Sequence, residues 1–513
     1  MKNLPADFKY NKTIILLLSA IPLLIHLYTN IFAGYGYFRD ELYYIACTDH
    51  LSFGYVDHPP LSVYILKIST LIFGDSIFAI RLLPAVSSSL TVLTTCLITL
   101  KLGGRKAALI ISSSAVIFAP VYLAMSSFYS MNTFDILLWS LAFYYIILIT
   151  ENNDKSDWIT LGVILGLGLL NKAGFLWLCF GFFLGILLTD KRKILLTSGP
   201  YLCALIALLI FSPFIIWNIA NDFAHLEFIR NATSEKYSGL NSIAFLKGQL
   251  LNMNPFSLIV FLPGLYYFMI DEIGKKFRII GIIFITTFLI LIINGHSKAE
   301  YLAPAYTALF AGGAVLIERL SDVKFRWIRY AVIIPIIVLG IFIAPLALPI
   351  LPVESYIKYA DRFGIGISSS EGKELAELPQ HFADMFGWEE LASNVSIVFM
   401  TLPENSKKNA VVYCNNYGEA SAINFFKKDY KLPDAISGHN SYWLWGYEKN
   451  EDPIVIIPGG NKEELLNTFE HVDEIMVHKA KYSIPYENNM PIFIARNIRT
   501  PLDSLWNKVK HYE

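Results

Sequence analysis

Charge is scarce in this sequence. Only 16% of its 513 residues are Asp, Glu, Lys or Arg, against 55% hydrophobic residues. With a mean hydropathy of +0.48, such a chain hides most of its apolar surface in lipid rather than in a water-soluble core. The 41 basic residues are matched by 42 acidic ones, so there is no basic surplus for a nucleic-acid partner. The five cysteines have no metal-ligand spacing, and Cys96, Cys179 and Cys203 lie in apolar runs where a thiol behaves as a small hydrophobe. Cys47 and Cys414 are the one pair that could bridge, with nothing in their spacing to support it. No Gly-rich phosphate loop, internal repeat or low-complexity tract is found, and Pro458-Gly-Gly-Asn461 reads as a turn before a helix.

What the sequence has in abundance is long apolar runs. They fall at about 13–33, 82–100, 107–125, 133–150, 158–170, 173–189, 194–216, 255–270, 279–293, 301–317 and 330–351, giving an α-helical polytopic membrane protein with about eleven spans. The first follows Lys2, Lys9 and Lys12 and has no small-residue cleavage site, so it is read as a retained span. With the N-terminus inside, the inner connections hold seventeen Lys and Arg in 49 positions, and the outer ones fewer than ten in roughly a hundred. That count predicts a cytoplasmic N-terminus and, after an odd number of spans, a C-terminal portion outside. The expected division is a membrane domain over 1–351, with an outer loop at 34–81, and a soluble α/β domain over 352–513. In the latter, 408–414 and 453–458 read as strands and 418–428 and 462–471 as helices.

The outer loop also reads as two amphipathic helices, Asp40 to about Thr48 and Pro60 to about Phe73, lying along the membrane surface. The run 158–170 is only thirteen residues long, about 20 Å of helix. Asn171 and Lys172 beyond it are therefore expected either in a protein-lined cavity or, for Lys172, snorkelling to the interface.

Chemistry concentrates on the outer side. Arg39-Asp40-Glu41 places two carboxylates and a cation just past the first span, and Asp57-His58-Pro59-Pro60 follows in the same loop. A carboxylate there can take the proton of an attacking hydroxyl and favour positive charge on a sugar ring. Arg39, His58, Lys172 and Lys298 could steady a departing phosphate. The plain alternative is that Asp40 caps a surface helix which Arg39 and Glu41 solvate. Asn132 with Asp135 reads either as an N-cap and third-position acid or as part of a loop-holding cluster. The stretch Asn294 to Tyr301 offers His296, Lys298 and Tyr301 to a phosphate, or is a simple polar loop. No His, Asp and Glu set has metal spacing; a divalent metal has no support in the sequence.

The Arg39-Asp40-Glu41 segment, Asp57 to Leu61, Asn132 with Asp135, Leu170-Asn171-Lys172 and Ser297 to Tyr306 resemble, in order, the bacterial family 39 type glycosyltransferases. These GT-C class membrane enzymes count the protein O-mannosyltransferases and the lipid A aminoarabinose transferase as relatives. Tyr417 to Ile423 and Ile436 to Trp445 look like the outer domain of many bacterial members. The resemblance implies inverting transfer of a sugar from a polyprenyl-phosphate donor to a lipid, glycan or protein acceptor at the outer face of a bacterial inner membrane. It implies Asp40 as the catalytic group with Glu41 supporting. Arg39, His58, Lys172, Lys298 and Tyr301 would face the donor phosphate, while Asp57, Asn132, Asp135 and Asn171 position the acceptor or the loop. His58 replaces the lysine of the aminoarabinose transferases. Imidazole is in general only partly charged near neutrality, which moves more of the phosphate role to Lys172 and Lys298. A transporter or flippase is the main rival, but it would more often show mid-membrane helix breaks and internal repetition, whereas here charge gathers at one face and no repeat is seen. A ligand sensor would not need eleven spans.

Overall fold

The computed structural model describes residues 5, 7–322, 325–366, 374–448 and 453–513. Lys2 and Lys324 of the charge count lie outside them. Every apolar run is largely helical, some in two pieces. The first span is α1 (Phe8–Phe32), and the first loop carries α2 (Arg39–Asp49) and α3 (Leu61–Phe73). Next come α4 (Ile77–Lys101), α5 (Lys106–Ile117) and α6 (Pro120–Met125). The run 107–125 is thus broken, because Pro120 cannot donate to a continuing helix and instead starts a new one. Then follow α7 (Met131–Asn152), α8 (Lys155–Asn171), α9 (Phe175–Leu187) and α10 (Gly199–Ala220). The second long loop holds α11 (Ala224–Ser234) and α12 (Ser242–Asn252), ahead of α13 (Leu258–Met269), α14 (Arg278–Asn294), α15 (Tyr306–Ser321) and α16 (Trp327–Ala347).

Burial separates inner from lipid-facing helices. Along α15 nearly every side chain is buried, and Gly313 lies so close to Val260 of α13 that a Cβ would stand 1.9 Å from its carbonyl oxygen. Small residues at such crossings let membrane helices gain dispersion contact that lipid cannot supply. By contrast α10 exposes Leu205, Leu208, Leu209 and Ile216, and α16 exposes Ile334, Val338 and Ile341. This is the inverted surface of a chain whose solvent is hydrocarbon. The helix expected over 158–170 is longer than read: α8 begins at Lys155 and its 17 residues span about 26 Å. Its polar first turn, Lys155-Ser156-Asp157, lengthens it without adding hydropathy.

Beyond Pro352 the chain forms α17 (Val353–Arg362), α18 (Gln380–Ala383), α19 (Trp388–Met400) and α20 (Glu404–Lys407). These lead into β1 (Ala410–Cys414), α21 (Tyr417–Tyr430), β2 (Ala435–Ser437), α22 (Ser441–Trp445), β3 (Ile454–Pro458), α23 (Lys462–Thr468), β4 (Phe469–His478), β5 (Met490–Ile498) and α24 (Leu502–Lys508). The five-stranded sheet has the order β2-β1-β3-β5-β4, parallel from β2 to β3 and antiparallel from β3 to β4. The helix expected over 462–471 ends at Thr468, where the chain turns extended into β4. As an outer strand, β4 spaces buried Phe469, Val472 and His478 among exposed charges that blunt its free edge. What matters for function is the contact between α21 and α2, which brings the C-terminal portion down onto the first loop.

Candidate active site

The entry to α2 is fixed before any chemistry is considered. Glu41 reaches back to the Phe38 N–H (2.9 Å), forming one half of a capping box. The same carboxylate accepts from Arg81 Nε (2.8 Å) and Nη2 (2.7 Å) and from the Tyr129 N–H (2.7 Å). Glu41 is fully buried and Arg81 nearly so. A buried carboxylate survives only when paired and hydrogen-bonded, and here both oxygens are saturated. The catalytic part expected of Glu41 therefore does not fit its place: it is a clasp holding α2, α4 and the turn before α7 together.

Asp40, one residue earlier, has the opposite environment. Its side chain is 36% exposed and its Oδ1 accepts the Tyr417 hydroxyl proton at 2.9 Å. Arg39 Nε lies 3.5 Å from the same oxygen. The guanidinium is itself held by the Tyr486 hydroxyl (3.1 Å) and faces Asp384 at 3.9 Å. Gly418 permits this closeness, since a Cβ there would meet the Arg39 side chain at 2.6 Å. Asp40 is thus no N-cap. It is a half-open carboxylate aimed by two side chains, one of them from the C-terminal portion.

A second cluster lies along α7 and α8. Lys172 Nζ donates to Asn132 Oδ1 (2.7 Å), stands 3.7 Å from Asp135 Oδ2, and sits over the Tyr301 ring at 5.0 Å. Asn171 is fully buried and donates to the Met131 carbonyl at 2.9 Å. Lys172 therefore occupies a protein-lined position and does not snorkel. The N-cap of α7 is Ser130, whose hydroxyl accepts from both the Asn132 N–H and the Asn132 Nδ2 (3.3 Å each), leaving Oδ1 to accept from Lys172. Lys298 opens the 3₁₀ turn 299–305 that carries Tyr301, and its ammonium rests over Tyr237 of the second loop at 4.9 Å.

Tyr44 joins the two clusters. It lies one helical turn beyond Asp40, its oxygen accepts from the Met131 N–H (3.3 Å), and its ring stacks on His58 with centroids 4.7 Å apart. Burial, with the Asp57 carboxylate next and Asp40 adding less, pushes the Tyr44 phenol well above its ordinary range. His58 Nδ1 faces the Pro59 carbonyl at 2.9 Å, while its Nε2 is buried with no partner among the described residues. Asp57 accepts from the Tyr43 hydroxyl at 2.8 Å. One chain of contacts, running through Tyr417, Tyr43, Tyr44 and Met131, therefore links Arg39, Asp40, Asp57, His58, Asn132, Asp135, Asn171, Lys172 and Tyr301, and Lys298 precedes the turn that carries Tyr301. Tyr417, Tyr486 and Asp384 belong to that chain of contacts, and only the likeness around Tyr417 hinted at any of them. Among the described residues no group of three His, Cys, Asp or Glu could hold a metal ion.

Residues 57–217 match the family described as dolichyl-phosphate-mannose-protein mannosyltransferase. Over 94% of this chain and 98% of the other, the fold superimposes on ArnT from Cupriavidus metallidurans bound to undecaprenyl phosphate, with a TM-score of 0.61 and 12% identity. The fold is that of the GT-C membrane glycosyltransferases. The apo oligosaccharyltransferase of Archaeoglobus fulgidus shares it at a TM-score of 0.51 and 14% identity, over 82% of this chain and 64% of that one. An undecaprenyl phosphate-α-4-amino-4-deoxy-L-arabinose arabinosyl transferase from Pseudomonas savastanoi pv. phaseolicola is 26% identical over 130 residues. That match spans about a quarter of the curated relative's length. Residues 57–217, which match the family model, include the Asp57-His58 stretch, the Asn132 to Asp135 stretch and Lys172.

Proposed function

We propose that this chain transfers a glycosyl group, with inversion, from a polyprenyl-phosphate donor to a lipid, glycan or protein acceptor on the face that carries the C-terminal domain. That face is read as extracytoplasmic, at a bacterial inner membrane. The observation that supports this most is the contrast within one dipeptide: Glu41 is closed off by four hydrogen bonds, whereas Asp40 is held by Tyr417 and Arg39 yet left part open. A carboxylate so placed can accept the proton of an acceptor hydroxyl as its oxygen attacks the anomeric carbon. The bond to the donor phosphate breaks on the opposite face, and its electron pair leaves with the polyprenyl phosphate. Lys172 and Lys298 are assigned to that growing charge, with His58 and Tyr301 beside them. Contacts between the first loop, the second loop and the C-terminal portion support reading all three on one side: the Val56 N–H donates to Ser441 Oγ (3.1 Å) and Lys510 pairs with Glu227 (2.8 Å). An odd number of spans requires that arrangement.

The test is mass analysis of outer glycolipids and glycoproteins from cells with and without the protein, together with turnover of a polyprenyl-phosphate sugar in proteoliposomes. One envelope glycan should lose a sugar in the deleted strain, and polyprenyl phosphate should be released in vitro only with an acceptor extract present. Unchanged glycans together with movement of intact donor across the bilayer would point to a flippase instead.

A further inference from the structure

A cavity of about 460 Å³ lies between the first loop, the second loop and the C-terminal portion. It falls within the size range of small-ligand sites, roughly 300–1,000 Å³. Two of its walls are Arg39 and Tyr417, the same side chains that hold the Asp40 carboxylate. Its charged lining is balanced: Arg39 and Lys236 against Glu235 and Glu513. Arg39 is in addition already engaged with Asp40 and Asp384. Asn415, Asn416, Tyr417 and Tyr486 supply neutral hydrogen-bonding groups.

His439 is the group that asks for a ligand. It is 92% buried, lines this cavity, and its Nδ1 has no hydrogen-bond partner among the described residues, although its Nε2 lies 3.2 Å from the Glu513 carbonyl. Burial, then His511, then Lys236 and Arg39 hold its imidazole well below the ordinary range against the pull of that carbonyl, so it is neutral. A buried polar atom without a partner is costly, and here a hydroxyl could meet it.

We infer that this cavity is the acceptor subsite and that it takes an uncharged, polyhydroxylated sugar rather than a phosphate. A bound phosphate would bring negative charge to walls whose two cationic side chains are already equalled in number by two carboxylates, with a neutral imidazole as the buried group that lacks a partner. A sugar ring instead offers hydroxyls to imidazole, amide and phenol edges, and one of them lies along the Arg39–Tyr417 wall beside Asp40. The assignment rests on the transferase reading for the word acceptor, though not for the binding itself.

The test is saturation-transfer NMR on the full-length protein in nanodiscs. The probes are methyl glycosides of neutral hexoses and N-acetylhexosamines, with inorganic phosphate in parallel and undecaprenyl phosphate binding followed separately. At least one glycoside should bind, weakening about tenfold or more in His439→Ala and in Lys236→Ala, while undecaprenyl phosphate binding persists. Lys236 lies in a loop, so its variant serves if His439→Ala fails to fold. Phosphate binding that both variants abolish would overturn the inference. So would glycoside binding that neither variant disturbs, or no glycoside binding by protein that still takes undecaprenyl phosphate. If glycosides bind as expected but undecaprenyl phosphate does not, the cavity assignment stands and the transferase reading falls.

Discussion

The two flanks of α2 were built by different rules. On the Glu41 flank every polar atom is consumed within the membrane portion, and the result is rigidity. On the Asp40 flank the neighbouring Arg39 is joined by Tyr417 from 377 residues away, the carboxylate stays partly wet, and a cavity opens beside it. Adjacent acids of the same charge thus hold opposite duties because of what each was given to bond. Asp40→Asn should break the wet flank most: turnover should fall about 10²- to 10⁴-fold, the range for removing a general base, with the thermal unfolding midpoint nearly unchanged. Wild-type turnover by that variant would remove Asp40 from the mechanism. Glu41→Ala should do the reverse, costing about 3–5 kcal/mol because Arg81 is left buried and unpaired. Unfolding in detergent reads that loss, and a fully stable variant would refute the clasp.

Smaller changes sharpen the contrast. Lys298→Ala should raise the KM for the lipid-linked donor about tenfold, as expected for losing one hydrogen bond to a charged group, without altering the KM for the acceptor. Equal effects on both would contradict its phosphate role. Tyr417→Phe should lower kcat about three- to tenfold, the worth of a single hydrogen bond. An unchanged kcat would mean that the C-terminal portion does not aim Asp40.

The smallest effect concerns Glu419, which is buried beside Glu487 behind this wall. Burial and then Glu487 raise its carboxyl well above the ordinary value of 4.5. The folded form therefore binds more protons than the unfolded one, and stability falls as pH rises from about 4.5 toward the raised folded value. Glu419→Gln should flatten that slope by a few degrees of melting temperature, which calorimetry across the pH range can check. A slope unchanged in the variant would place the linkage elsewhere.

Sequence reasoning reached the membrane half well because a span needs one thing, a long apolar run, and that is local. The paired helices of the first loop were equally legible from amphipathicity. The roles of Asp40 and Glu41 were not, since Arg81, Tyr129 and Tyr417 reach them only through tertiary packing. Local sequence allows Lys172 two positions, and the contacts with Asn132, Asp135 and Tyr301 that decide between them are tertiary. In the C-terminal portion the buried runs of β1 and β3 were visible. Strand β4, charged at an outer edge, carries too little apolar signal to be told from a helix continuing past Thr468.

One contact made early in the chain has a practical corollary. The Arg39 N–H that begins α2 donates to the Asp384 carbonyl at 3.0 Å, and Asn231 in the second loop donates to the Tyr512 carbonyl at 3.0 Å. Both ends of the extramembrane portion are therefore stitched into the loops beneath it. Truncation after Pro352, or exchange of everything beyond it, would remove Asp384 and Tyr417 and with them contacts that hold the start of α2 and the Asp40 carboxylate. In this architecture the C-terminal portion is not a detachable module.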